Sequence, residues 1–89
     1  MIANIISKRN IKCRTRFGAW LAYNIYHNEL TIRQTANRLR LSRVSVSQHV
    51  NGTHKPTFVH VLAYCYIFEK MNDETFNPDE IYKMVDEEL

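Results

Sequence analysis

Four helix-start signals, Thr31, Ser42, Thr57 and the pair Asn77-Pro78, divide this chain into short segments and constrain its fold more than any other feature. Ser, Thr and Asn side chains accept hydrogen bonds from the otherwise unpaired N–H groups of a first helical turn. Proline is favoured at the first helical position, where no N–H is needed. Thr31 is followed three residues later by Gln34, a capping-box spacing that opens a short helix reaching Leu39. Arg40 and Leu41 form the turn, and Ser42 then caps a second short helix over 43–50, stopped by Asn51-Gly52. Upstream, Phe17, Trp20, Leu21 and Ile25 recur at three- and four-residue steps, which predicts a first helix over 15–26. Downstream, Thr57 caps an apolar helix through Phe58, Val61, Leu62, Cys65 and Phe68; residues 70–76 read as polar connection, and a last helix runs from Asn77-Pro78 to position 89. With only two glycines and two prolines there is little punctuation for a sheet, so the expected fold is all-α, a compact bundle of about five helices. Residues 1–13 hold Ile2, Ile5, Ile6 and Ile11 among basic residues without a firm period; an arm, a short helix and an extended strand all fit.

An 89-residue chain has room for one domain with a modest core. The expected layout is a basic arm over 1–14, a core over 15–69 and a C-terminal helix over 77–89. No apolar run reaches the length of a membrane span and residues 1–6 do not make a signal peptide, so the expected location is cytoplasmic. Cys13 and Cys65 are isolated, which argues against a disulfide framework; Cys65 reads as core. The four histidines lack close ligand spacing, no metal or cofactor is expected, and His49 reads as a packed residue. Tyr23, Tyr26, Tyr64 and Tyr66 read as core and interface rather than a stacking platform for bases. No paired carboxylates, nucleophile motif or phosphate-binding glycine loop is visible, so no enzymatic activity is expected.

The charge is unevenly spread. Residues 1–56 carry ten Lys or Arg against the single acid Glu29, whereas from Thr57 onward two lysines face eight acids. A basic front suits a polyanion such as nucleic acid, and an acidic tail suits a protein partner or the repulsion of DNA from the wrong face. Solvated surface would give the same pattern.

Two short helices around a tight turn over 31–51 have the dimensions of a helix-turn-helix. Ala36 is small where the pair must approach, Leu39 and Leu41 bracket the turn, and Val46 returns into the same core. Leu30-Thr31, Ala36-Asn37-Arg38-Leu39, Leu41-Ser42-Arg43, Val46-Ser47, Asn51-Gly52 and Lys55-Pro56 together resemble, at matching spacing and without a gap, the phage-repressor-like family of helix-turn-helix proteins (Cro- and XRE-type). With its flanking helices the likeness extends over 17–68 and implies a lambda-repressor-like bundle with a central helix-turn-helix.

The resemblance implies that the helix over 42–51 enters the major groove and that Arg43, Val44, Ser45 and Gln48 reach base edges. Arg43 suits guanine O6 and N7, Gln48 suits adenine N6 and N7, and Val44 suits a thymine methyl. Ser42, Asn51 and Lys55 would contact phosphates, which position the protein without specifying sequence. Two positions depart from the family. Ile32 stands where a phosphate-binding Gln is common, leaving that contact to Arg33, and Arg40 stands where the turn often has Gly and is expected to contact phosphate itself. The family's frequent Arg–Glu pair between the first and recognition helices is replaced by Ile25 and Val50, a joint change that leaves no buried charge unpaired. Lys8, Arg9 and Lys12 form a candidate DNA-binding arm of the kind that lies along the backbone or in the minor groove.

The expected function is therefore a sequence-specific transcriptional regulator, a phage, prophage or bacterial repressor, whose partner is double-stranded operator DNA. One recognition helix covers few base pairs, so a homodimer on a pseudo-palindromic site is expected. Ile81, Met84, Val85 and Leu89 share a stripe that would serve either as the dimer surface or as part of the monomer's core. The alternative is a protein-interaction module, an antitoxin or repressor accessory protein, acting through an acidic C-terminal helix.

Overall fold

Hydroxyl side chains start four of the five helices among the described residues. The computed structural model describes residues 12–89. Among them α1 spans Arg16–His27, α2 Ile32–Leu39, α3 Arg43–Asn51, α4 Phe58–Asn72 and α5 Pro78–Lys83, followed by a 3-10 turn at Met84–Asp86. Thr15, Thr31, Ser42 and Thr57 each cap the helix that follows by accepting a backbone N–H. Asn77 does the same for α5, with Pro78 just inside the helix. The described residues form an all-α bundle of five helices, as the start signals and the apolar spacing of the first helix predict.

The helix ends use one device repeatedly. Glu29, Arg40 and Asp73 sit in the left-handed region at φ 56°, 57° and 54°. Each lets the next residue's N–H reach back to a carbonyl five positions earlier: Leu30 to Ile25 at 2.9 Å, Leu41 to Ala36 at 2.9 Å and Glu74 to Glu69 at 3.2 Å. These bonds satisfy carbonyls that a helix end would otherwise leave open. Gly52 closes α3 in the same region at φ 85°, where glycine meets no steric penalty.

The core lies between α1, α3 and α4. Phe17 and Leu21 from α1, Val46 and Val50 from α3, and Val61, Tyr64 and Phe68 from α4 are all fully enclosed, and Cys65 is buried among them. Trp20 packs edge-on against Phe68 and Phe76, with centroids 5.8 and 5.3 Å apart. Ile25 and Val50 are both buried, so the apolar pair is part of this core. Tyr23 and Tyr66 are exposed, in contrast to Tyr64.

Two expectations are corrected. The segment 70–76 is not wholly connection, because α4 continues to Asn72 and stops only at the left-handed Asp73. Nor does the last helix reach position 89: α5 ends at Lys83, the 3-10 turn follows, and residue 88 bridges back to Thr15 in antiparallel fashion. The Arg16 N–H donates to the Glu87 carbonyl at 2.8 Å, and the Leu89 N–H donates to the Arg14 carbonyl at 3.0 Å. Continuing the helix would forfeit both bonds. Ile81 and Val85 are buried in the monomer's own core while Leu89 is exposed, so the proposed stripe is divided. No helix among the described residues is long and apolar enough to cross a membrane.

Candidate nucleic-acid interface

The position of α3 is fixed from both ends and from behind. At its start, Ser42 Oγ accepts the Ser45 N–H at 3.0 Å and donates to Ser45 Oγ at 2.9 Å. The capping box of α2 is complete: Gln34 N–H donates to Thr31 Oγ1 at 3.0 Å, and Thr31 N–H donates to Gln34 Oε1 at 2.8 Å. Arg40 and the Leu41 bond to Ala36 set the turn between the two helices. Behind α3, Val46, His49 and Val50 are buried.

Helix α1 comes close to α3 at Gly18. A β-carbon built there would lie 2.1 Å from the Val50 carbonyl oxygen, far inside van der Waals contact. Only glycine lets α1 come this close to the end of α3. Gly52 has a related neighbour, since the Arg14 side chain would be 3.1 Å from an added β-carbon.

His49 is held from α4. One 2.8 Å hydrogen bond joins its Nδ1 to the Tyr64 hydroxyl, and the His60 ring lies 5.5 Å away, centroid to centroid. Burial, then the nearby His60 and His54, lower the His49 pKa to about 4, so the imidazole is neutral at pH 7. Burial likewise raises the Tyr64 pKa, keeping the phenol protonated. The buried polar pair is thus satisfied and uncharged, and it ties α3 to α4.

The opposite side of α3 is open. Arg43 and Val44 are exposed, Val44 at 59%, and Ser45, Ser47 and Gln48 are half-buried. Between α2 and α3 lies an open groove of about 470 Å³ lined by Thr31, Ile32, Arg33, Arg43, Val44, Ser47 and Gln48. The fold thus brings Arg43, Val44 and Gln48 together with Arg33. Ile32 and Val44 supply apolar wall, and two guanidinium side chains flank it. The two ion pairs formed among the described residues, Arg16 with Glu87 and Lys55 with Asp86, involve neither Arg33 nor Arg43.

The other sequence-selected residues are arranged differently. Ser45 is engaged through its hydroxyl with Ser42 and lies outside the lining of the groove. Ser47, which the sequence reading passed over, lines it instead. The signal was available, because Ser47 stands four residues after Arg43 and three after Val44, on the same side of a helix. Arg40 is exposed at the turn, outside the groove lining. The Asn51 Oδ1 accepts the Thr53 N–H at 2.8 Å, stabilising the loop after α3. Lys55 is exposed, but its Nζ contacts Asp86 Oδ1 at 2.6 Å, so its charge is shared with the tail. Lys12 is exposed; Lys8 and Arg9 lie outside the described residues.

No protein-family model, curated protein or solved structure matches the chain.

Proposed function

We propose that this chain is a sequence-specific DNA-binding transcriptional regulator of the phage-repressor type, acting in the cytoplasm as a homodimer on a pseudo-palindromic operator. Insertion of α3 into the major groove is the central step. The observation that carries the reading is the division of α3 into two sides: Val46, His49 and Val50 packed behind it, and Arg43, Val44 and Gln48 facing an open groove beside Arg33.

The chemistry of that side suits base edges. Arg43 offers paired donors to guanine, Gln48 offers one donor and one acceptor to adenine, and Val44 offers an apolar surface to a thymine methyl. Arg33 and Arg40 supply charge for phosphates on either side, and Ser42 lies at the helix N-terminus, where backbone N–H groups favour anions. The function needs no catalysis and no cofactor. A homodimer would place two such helices about 34 Å apart, one turn of the duplex.

Selection of bound sequences from a random duplex pool at two salt concentrations tests the proposal. A two-fold-related consensus enriched at both concentrations supports it. Recovery of unenriched DNA whose binding vanishes at the higher salt contradicts it, because that is the signature of phosphate attraction alone.

A further inference from the structure

Helix α4 is apolar on two sides, and the described residues cover only one. No charged residue occurs from Pro56 to Phe68. Val61, Tyr64, Cys65 and Phe68 fill the core, while Val59, Leu62 and Tyr66, at steps of three and four, form a second line that is 70%, 41% and 59% exposed. A helix that is apolar all round is ordinarily enclosed on every side. Phe58 and the exposed Tyr82 widen the patch through an edge-on ring contact of 5.2 Å. Lys70 Nζ lies 4.8 Å from the centre of the Tyr66 ring and marks one end of it.

We infer that the Val59–Leu62–Tyr66 face of α4 is the surface through which two copies of this chain associate. Its neutrality selects the occupant. The chain bears a net charge of +3, concentrated as a basic front and an acidic tail. A strongly charged partner would be drawn to one of those regions, whereas two like-charged copies meet at least cost across the first three turns of α4, which carry no charged residue before Glu69. A single line on one helix also satisfies two-fold symmetry. Laid antiparallel on itself, it sets Tyr66 of one copy near Val59 of the other, with Leu62 near the axis.

The patch amounts to a few hundred Å², the size at which exposed apolar surface on a monomer is already functional. It falls well short of the about 800 Å² per partner of a standard interface. The free dimer is therefore weak, with a dissociation constant between about 10 µM and 1 mM. Two adjacent half-sites raise the effective concentration of one copy near the other and complete the pairing. That last step rests on the DNA-binding reading; the association itself does not.

Sedimentation equilibrium of the full chain without DNA is the test, on the wild type and on Val59→Asp, Tyr66→Asp and Leu89→Asp. By about 1 mM the wild type should reach between about 1.5 and 1.9 times the monomer mass, the values that dissociation constants of about 1 mM and about 10 µM give. Val59→Asp, which would bury a carboxylate without a partner, and Tyr66→Asp, which removes the ring and leaves a carboxylate beside Lys70, should each weaken association at least about tenfold with unchanged melting temperature. The milder Val59→Ser and Tyr66→Ser should act in the same direction, and Leu89→Asp should have no effect. A wild type that stays monomeric throughout overturns the inference. So does a dimer that responds to Leu89 and not to Val59 or Tyr66. A monomeric wild type whose Val59→Asp variant melts lower also overturns it, since the face would then be covered by the chain itself. Because DNA is absent, failure here leaves the base-reading proposal intact, and failure of base reading leaves this contact intact.

Discussion

Substituting Gly18 by alanine perturbs the contact that sets the depth of α3. In an exposed helix interior the change would stabilise the protein by about 1 kcal/mol, because alanine has the better helix propensity. Here the new methyl group meets the Val50 carbonyl oxygen at 2.1 Å. Ordinary carbon–oxygen contact is more than 3 Å, so the two backbones must separate by about 1 Å, and backbone cannot rotate away as a side chain can. Overpacking of this kind costs about 1–3 kcal/mol and sometimes more. A 2.1 Å contact against backbone belongs at the upper end of that range, so after the propensity gain a net destabilisation of about 1–2 kcal/mol is expected. For a domain of this size that lowers the melting temperature by roughly 4–15 °C. Thermal unfolding followed by circular dichroism measures it. An unchanged or higher melting temperature would show that α1 and α3 do not approach as described, and would remove the support behind the proposed recognition helix.

The remaining predictions concern charge and backbone. His49 is neutral when buried and has a lowered pKa of about 4, so the unfolded chain, titrating near 6.5, binds the extra proton between these values. Stability present above about pH 6.5 should fall as the pH drops toward 4, by at most about 3 kcal/mol; His49→Gln should flatten this part of a urea-denaturation pH series, and an unchanged pH slope would contradict the assignment. Arg40→Gly relieves a left-handed arginine at φ 57°, and should stabilise the fold by about 0.5–1 kcal/mol while weakening DNA binding; loss of stability in chemical denaturation would refute the first half. Asp86→Asn releases Lys55 from its 2.6 Å partner, so DNA affinity should rise and the slope of log affinity against log salt should steepen by about 1; an unaltered slope would mean that Lys55 touches no phosphate.

Local chemistry was legible in the sequence, and long-range pairing was not. Thr31, Ser42, Thr57 and Asn77-Pro78 announced their helices because a cap acts within three residues. Gly52 likewise marked the end of α3. The end of α4 was missed because its left-handed stop is Asp73, not glycine. Where the last helix breaks depends on backbone bonds from residues 87–89 to Arg14 and Arg16, some seventy positions away, which no periodicity encodes. Separations of about thirty positions likewise hid the Lys55–Asp86 pair and the role of Gly18, whose necessity lies in Val50. In the candidate site, the resemblance pointed to Arg43, Val44, Ser45 and Gln48, of which Arg43, Val44 and Gln48 line the groove, while the competing bond from Ser42 to Ser45 emerged only from side-chain positions.

The proposal that α3 reads base edges is tested most directly by measuring, at one salt concentration, the affinity of the wild type, Arg43→Ala and Gln48→Ala for the selected site and for random duplex. Each substitution should weaken binding to the selected site by about 1–3 kcal/mol. Affinity of Gln48→Ala for random duplex should be nearly unchanged, and Arg43→Ala should lose less there than on the selected site. Equal losses on both duplexes, or no loss on either, would contradict base reading by this helix.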